Sequence, residues 1–226
     1  MTGRKYQVEI GRERSDLVYL RSGVVQGSIL APILFNIYTR ELPTLLRDHL
    51  DLDSLHYADD AQILLEIITR IEQIEQKISN MFHSLKKWMQ RRKLKLNVSK
   101  TEVFMAKTNR ALPQNEEIKS LRIDGLQLDI ANPVKSLGVM LDEKLNMRDQ
   151  IKNAKRKAIY SLINIARISK YITQECRIKL VHNLVFSHID FCNSLYYGLP
   201  NKDLHGLQII MNNASRLIVG RLNFCR

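Results

Sequence analysis

One stretch constrains this chain more than any other: Leu55-His56-Tyr57-Ala58-Asp59-Asp60-Ala61-Gln62-Ile63-Leu64-Leu65, in which two short apolar runs flank a pair of adjacent carboxylates. Leu55 and Tyr57 alternate with His56, and Ile63 to Leu65 is continuous, so both sides predict buried strands. A hairpin then holds Asp59 and Asp60 at its tip. Adjacent aspartates repel each other and favour turns, so propensity alone gives a buried sheet nothing from them. Two readings fit. The pair is a solvated turn, or its repulsion is relieved by a hard divalent cation such as Mg²⁺, which takes carboxylate oxygens.

Charge narrows the class of partner. Lys and Arg total 35 against 23 acids among 226 residues, a formal net charge of +12. Such a balance points to a polyanion, either nucleic acid or an anionic membrane surface. The charge is unevenly placed: residues 70–110 and 144–179 are strongly basic, while Asp48, Asp51, Asp53, Asp59, Asp60 and Glu66 crowd one short segment. Two basic flanks around an acidic focus suit an enzyme that binds a polyanion and holds metal. The length allows one large domain or two small ones, and the 45% hydrophobic content supports a sizeable core.

Several classes drop out. Cys176, Cys192 and Cys225 are an odd, sparse set without Cys-x-x-Cys, which points to a reducing compartment and no disulfide framework. His182, His188 and Cys192 match no zinc spacing and read as packing or surface residues. No apolar run approaches the ~18 residues of a membrane span, and no signal-type stretch follows Met1 to Lys5. An intracellular setting, nuclear or cytoplasmic and off the membrane, is the expectation.

Taken in order, Tyr6, Val8 and Ile10 alternate, Gly11 breaks the run, and Leu17 to Leu20 starts another, which predicts a hairpin. Ser22 to Ser28 is a small-residue loop opening a helix with Pro32 in its first turn. Leu30, Ile33, Leu34, Ile37, Tyr38 and Leu42 share a face of that helix, and Pro43 limits or kinks it. A two-glycine loop before a helix can bring backbone close to a phosphate, or can be a plain connection. Thr69 and Glu72 make a capping-box pair for a long helix, with Ile71, Ile74, Ile78, Met81, Phe82, Leu85, Trp88 and Met89 as its apolar stripe. That stripe reads as core rather than as a base-stacking surface. The basic run 91–100 leads into a strand over Glu102 to Met105, and 107–120 is a surface loop. Leu121 to Leu128 is a hairpin turning on Asp124-Gly125. Val134 to Leu141 supplies a further strand in which Gly138 marks a bulge or close approach. Helices follow over roughly 146–169, 173–188 and 203–220. The change near residue 143 divides a mixed α/β part from an all-helical part.

Together these motifs resemble the reverse transcriptase of non-LTR (LINE-type) retrotransposons, closest to the jockey-like group. The likeness rests on Ser22-Gly23-Val24-Val25-Gln26-Gly27-Ser28, Tyr57-Ala58-Asp59-Asp60, Leu94 to Glu102, and Ser136-Leu137-Gly138-Val139 with Leu141-Asp142. It continues through Asp190-Phe191-Cys192-Asn193-Ser194, Gly198-Leu199-Pro200 and Asn212 to Ile218. Order and separation also agree, so the resemblance spans essentially the whole chain.

What the resemblance implies is an α+β fold: part of a right-hand polymerase palm over 1–143, an antiparallel sheet with helices, then a helical thumb and connection over 144–226. Asp59 becomes a catalytic metal ligand and Asp60 its supporting carboxylate. Gln26, Gly27 and Ser28 contact the incoming nucleotide and template, and Lys100 assists pyrophosphate departure. The sheet pair around Leu137 and Gly138 is the primer grip. The cofactor is Mg²⁺ or Mn²⁺, and the partners are an RNA template, a DNA primer and deoxynucleotides. Two-metal phosphoryl transfer needs carboxylates that hold the ions ~3.5–4 Å apart, and a nearby lysine neutralises the leaving group. Val25 and Ala31 stand where the family usually has Pro and Gly, which implies some loss in nucleotide positioning. The family's upstream metal-binding aspartate has no counterpart, since Arg14-Ser15-Asp16-Leu17 does not match its motif; fingers and an endonuclease domain are missing too. The expectation is therefore a 5′-truncated product, inactive as an isolated chain. The alternatives are a nucleic-acid-binding module without catalysis, or a decayed element with no partner.

Overall fold

Two-residue turns and amphipathic stripes organise the computed structural model, which describes residues 3–20, 23–24, 27–66, 71–106, 118–123 and 125–221. The fold mixes helices with small antiparallel sheets, and among the described residues the strands pair two by two. The chain forms two compact units, Met1–Lys95 and Leu96–Arg226. The change to an all-helical character near residue 143 falls inside the second unit.

In the first unit the predicted N-terminal hairpin forms as two nested ladders. Strand β1 (Lys5–Tyr6) pairs with β4 (Val18–Tyr19), and β2 (Glu9–Ile10) with β3 (Glu13–Arg14). Between them Ser15 Oγ accepts from Val8 N at 3.0 Å, so a hydroxyl replaces a carbonyl in the ladder. The strand residues are exposed. Helix α1 (Ala31–Thr39) has Pro in its first turn as predicted, and Pro43 opens a second helix, α2 (Leu42–Leu50). The expected apolar face of α1 is not a core face. Leu30, Ile33, Ile37 and Tyr38 are exposed, and the buried residues of this unit are instead Leu42 and Leu46 of α2, Leu52 just after it, and Ile74, Met81, Phe82, Leu85 and Trp88 of α3 (Ile71–Arg91).

Trp88 is thus buried, as the stripe predicts. The capping-box threonine, Thr69, lies outside the described residues, and so does most of the predicted 107–120 loop. Lys93 ends α3 in the left-handed region (φ 55°), while Leu94 N bonds to Met89 O and Lys93 N to Gln90 O. That pattern satisfies the helix's last carbonyls, with a lysine where glycine is usual.

In the second unit the expected strand over Glu102 to Met105 shows, among the described residues, one parallel bridge, Val103 to Ile130. A 3₁₀ turn, Val98–Lys100, precedes that bridge. The predicted hairpin forms as β7 (Ser120–Ile123) with β8 (Leu126–Asp129), and Gly125 has φ 78°; its other predicted turn residue, Asp124, lies outside the described residues. Val134 to Leu141 is not one strand. It folds as β9 (Val134–Ser136) against β10 (Val139–Leu141), because Leu137 (φ 46°) and Gly138 (φ 90°) reverse the chain. Two successive left-handed residues make the tight turn whose twist matches a hairpin.

Helices α4 (Arg148–Ile168), α5 (Gln174–Val181), α6 (Ser187–Asp190) and α7 (Asn201–Ile218) close this unit. The predicted 173–188 helix is interrupted by a π turn, His182–Phe186. Val181, Val185 and Ile189 all face the core. A spacing of four overshoots an α-helical face by about 40° each time, and the wider turn takes up that overshoot. Val139 of β10 joins the same core as Ile151, Ala154, Ala158, Leu162 and Leu217.

Candidate functional site

The acidic pair sits where the hairpin prediction puts it. Strand β5 (Asp53–Tyr57) pairs with β6 (Asp60–Leu64), with Tyr57 opposite Asp60 and His56 opposite Ala61. Ala58 and Asp59 are therefore the two turn residues, and Asp60 opens β6. Ala58 has φ 52°. A left-handed conformation costs a non-glycine residue about 1–2 kcal/mol, so this tip stores strain of the kind found at functional sites. Asp59 and Asp60 are both exposed.

The flanking strands are less buried than their apolar content predicts. Leu55, Tyr57 and Leu64 are exposed, while Ile63 and Leu65 are half-buried. Register explains this. Leu55, Tyr57, Asp60 and Gln62 share one face of the hairpin, and Ser54, His56, Ala61 and Ile63 share the other. On that second face His56 Nε2 lies 2.8 Å from Ser54 Oγ, and partial burial of the ring lowers the His56 pKa below its ordinary 6.5. Asp60 thus lies on the more solvent-exposed side.

Two adjacent carboxylates are hard oxygen donors of the type Mg²⁺ and Mn²⁺ prefer. Mg²⁺ is commonly held by only one or two carboxylates, with substrate phosphates and water completing its shell. The donor set fits such an ion in kind. Among the described residues, however, there is no cluster of three or more His, Cys, Asp or Glu side chains able to form a complete protein cage.

The other predicted residues are distributed as follows. Gln26 lies outside the described residues. Gly27 is left-handed (φ 84°) and exposed beside exposed Ser28, whose carbonyl accepts from Ala31 N at 3.1 Å as α1 begins. Lys100 is exposed at the end of the 3₁₀ turn. That turn is tied by Asn97: its carbonyl accepts from Lys100 N and Thr101 Oγ1, and its Oδ1 from Ser99 Oγ. Leu137 and Gly138 share the β9–β10 turn. The structure therefore brings Asp59 together with Asp60, Gly27 with Ser28, and Leu137 with Gly138. Gly27, Ser28, Asp59 and Asp60 belong to the first unit; Lys100, Leu137 and Gly138 belong to the second.

Residues 4–141 match the family model for reverse transcriptase (RNA-dependent DNA polymerase), more than half of the chain. The chain belongs to the reverse transcriptase family. Its relatives are polymerases of mobile elements, in keeping with a non-LTR retrotransposon reverse transcriptase. A probable RNA-directed DNA polymerase from transposon BS of Drosophila melanogaster is 25% identical over 95% of this chain and 24% of its own length. RNA-directed DNA polymerases from the mobile element jockey are 24% identical in Drosophila funebris and 23% identical in Drosophila melanogaster, each over 96% of this chain and 24% of their own length. The chain spans about a quarter of the length of these curated relatives. No solved structure gives a significant match. As a family, reverse transcriptases act on a nucleic-acid template and nucleotides with divalent metal. Among the described residues no helix is long and apolar enough to cross a membrane.

Two residues to which sequence reasoning gave no role hold the β9–β10 hairpin and the loop that follows it. Gln150 is buried on α4, and its Oε1 accepts from Met140 N at 3.0 Å. Asp142, also buried, accepts through Oδ1 from Lys144 N and Asn146 N at 3.2 and 3.0 Å, which shapes the loop into α4. Asp142 stands inside a quoted motif; Gln150 carries no signal beyond its place on a helix face that turns out to be buried.

Proposed function

We propose that this chain is part of an RNA-directed DNA polymerase that works by two-metal nucleotidyl transfer onto a primer 3′ end. The observation that carries the reading is the β5–β6 turn, which holds Asp59 and Asp60 together at an exposed, strained tip within the segment matched by the family model. A bound pair of divalent ions would supply charge neutralisation at the transferred phosphoryl group and at the leaving pyrophosphate. Asp59 is the metal ligand, and Asp60 beside it supports the same charge. Gln26, Gly27 and Ser28 face nucleotide and template, with Gly27 letting backbone approach them. Lys100 is the cation that favours pyrophosphate departure. Leu137 and Gly138 grip the primer end.

In this reading 1–143 belongs to the palm and 144–226 to the thumb and connection. The end of the family match at Leu141 and the start of α4 at Arg148 support that division. The thumb tracks a template–primer by its phosphates, and the work is done inside the cell, in the nucleus or cytoplasm. The isolated chain is expected not to extend primers, because two ions held by the carboxylates of one motif alone, Asp59 and Asp60, would be poorly fixed. Primer extension on an RNA template with deoxynucleotides and Mg²⁺ or Mn²⁺ tests this. No product is expected from the chain alone; product that Asp59→Ala abolishes would overturn the inactivity and leave Asp59 as the ligand.

A second reading has its own observation. Helix α4 buries Ile151, Ala154, Ala158 and Leu162 and exposes Lys152, Arg156, Lys157 and Arg167. That face suits a nucleic-acid-binding module without catalysis. Salt-sensitive retention of a template–primer without nucleotide incorporation supports it, and no retention at low salt sinks it.

A further inference from the structure

The tail segment Asp190-Phe191-Cys192-Asn193-Ser194 has a place in the family pattern and no assigned task. In the fold it reaches the turn of the β9–β10 hairpin, more than fifty residues earlier in the chain. A Cβ on Gly138 would lie 3.1 Å from Phe191 Cζ and 3.3 Å from Cε1. Glycine is therefore favoured at 138 on two separate grounds, the φ of 90° and a ring edge that a Cβ would have to push back by a few tenths of an ångström. Phe191 is 45% exposed, so core burial is not what holds it there. Strand β10 is already anchored by Val139 in the core and by the Gln150 bond to Met140 N. The turn itself is backed by the phenylalanine. Beside this contact opens a pocket of roughly 300 Å³, whose lining includes Lys135, Gly138, Asn153, Lys157, His188 and Phe191 and holds no carboxylate. Such a lining suits a phosphodiester.

We propose that Phe191 is a positioning residue: its ring braces the Leu137–Gly138 turn so that the turn presents a fixed backbone to the primer 3′ end at the edge of this basic pocket. The inference rests on reading the hairpin as the primer grip. It gives the tail motif a purpose in substrate placement rather than in folding.

The test compares binding of the full chain to an RNA–DNA template–primer with a recessed 3′ end and to the same duplex closed at both ends by loops. The wild-type chain is expected to prefer the recessed end by about tenfold. Phe191→Ala should bind both probes alike with closed-duplex affinity unchanged, and Phe191→Tyr should restore the preference. An independent signature comes from NMR: the Gly138 Hα shifts leave the ordinary glycine range through the ring current and return to it in Phe191→Ala. If Phe191→Ala does not fold by circular dichroism, Phe191→Leu serves with the same expected loss. Retention of the wild-type preference in Phe191→Ala overturns the proposal and leaves the primer-grip reading standing. Absence of any preference in the wild-type chain overturns the primer-grip reading and this proposal with it.

Discussion

At residue 138 a backbone constraint and a packing constraint coincide, and each predicts its own loss on substitution. Gly138→Ala should lower the unfolding free energy by about 1–3 kcal/mol, from a strained φ together with a methyl forced against Phe191. Adding Phe191→Ala should recover the packing part and leave the backbone part, which urea denaturation of the single and double variants measures. Equal stability of Gly138→Ala and wild type would contradict this account. Asp142 matters in another way, since its Oδ1 gathers two backbone amides of the loop that leads into α4. Asp142→Ala should cost about 1–3 kcal/mol by leaving those donors without their acceptor, and Asp142→Asn less, because an amide oxygen still accepts. How far these residues were legible differs. Gly138 inside an apolar run announces a close approach, yet nothing in the sequence names Phe191 as what approaches. Leu137 gives no warning of its positive φ, since leucine seldom adopts one, and so the run read as a single strand.

Helices with a regular stripe were readable, and what covers each stripe was not. The α3 spacing predicted both the helix and its buried residues, Trp88 included, because that side of the helix is covered within its unit. The α1 spacing predicted a helix equally well, but its face is exposed: periodicity says which residues share a side, and tertiary packing decides whether that side is covered. The π turn escaped notice because two spacings of four are also compatible with a plain α-helix. The Asp59-Asp60 hairpin was legible from turn chemistry and strand pairing, whereas its exposure depended on register. The α2–α3 contact has a built-in reporter, since Trp88 is the only tryptophan in the chain and is buried. Leu46→Ala, at a fully buried position on α2, should destabilise this contact by about 2–5 kcal/mol and move the Trp88 emission midpoint to lower urea. An unchanged midpoint would contradict the core assignment.

On the scale of the whole molecule, a net charge of +12 and the exposed basic residues of α4 support the proposal that a template–primer would be held chiefly through its phosphates. Neutralising Arg156 and Lys157 together should reduce the salt slope of log K by about two, and an unchanged slope would remove α4 from the interface. Composition pointed to a polyanion without saying which, and the ordered motifs made the family legible; the division into Met1–Lys95 and Leu96–Arg226 left no mark in either. The central claim concerns the acidic tip, that Asp59 and Asp60 hold a divalent ion when template–primer is bound. Paramagnetic broadening by Mn²⁺ of the backbone amide resonances tests it most directly. The account predicts that Tyr57 to Ala61 broaden first in the wild-type chain and stay sharp in Asp59→Asn. Broadening that begins at Asp48, Asp51 and Asp53, or that persists unchanged in Asp59→Asn, would contradict it.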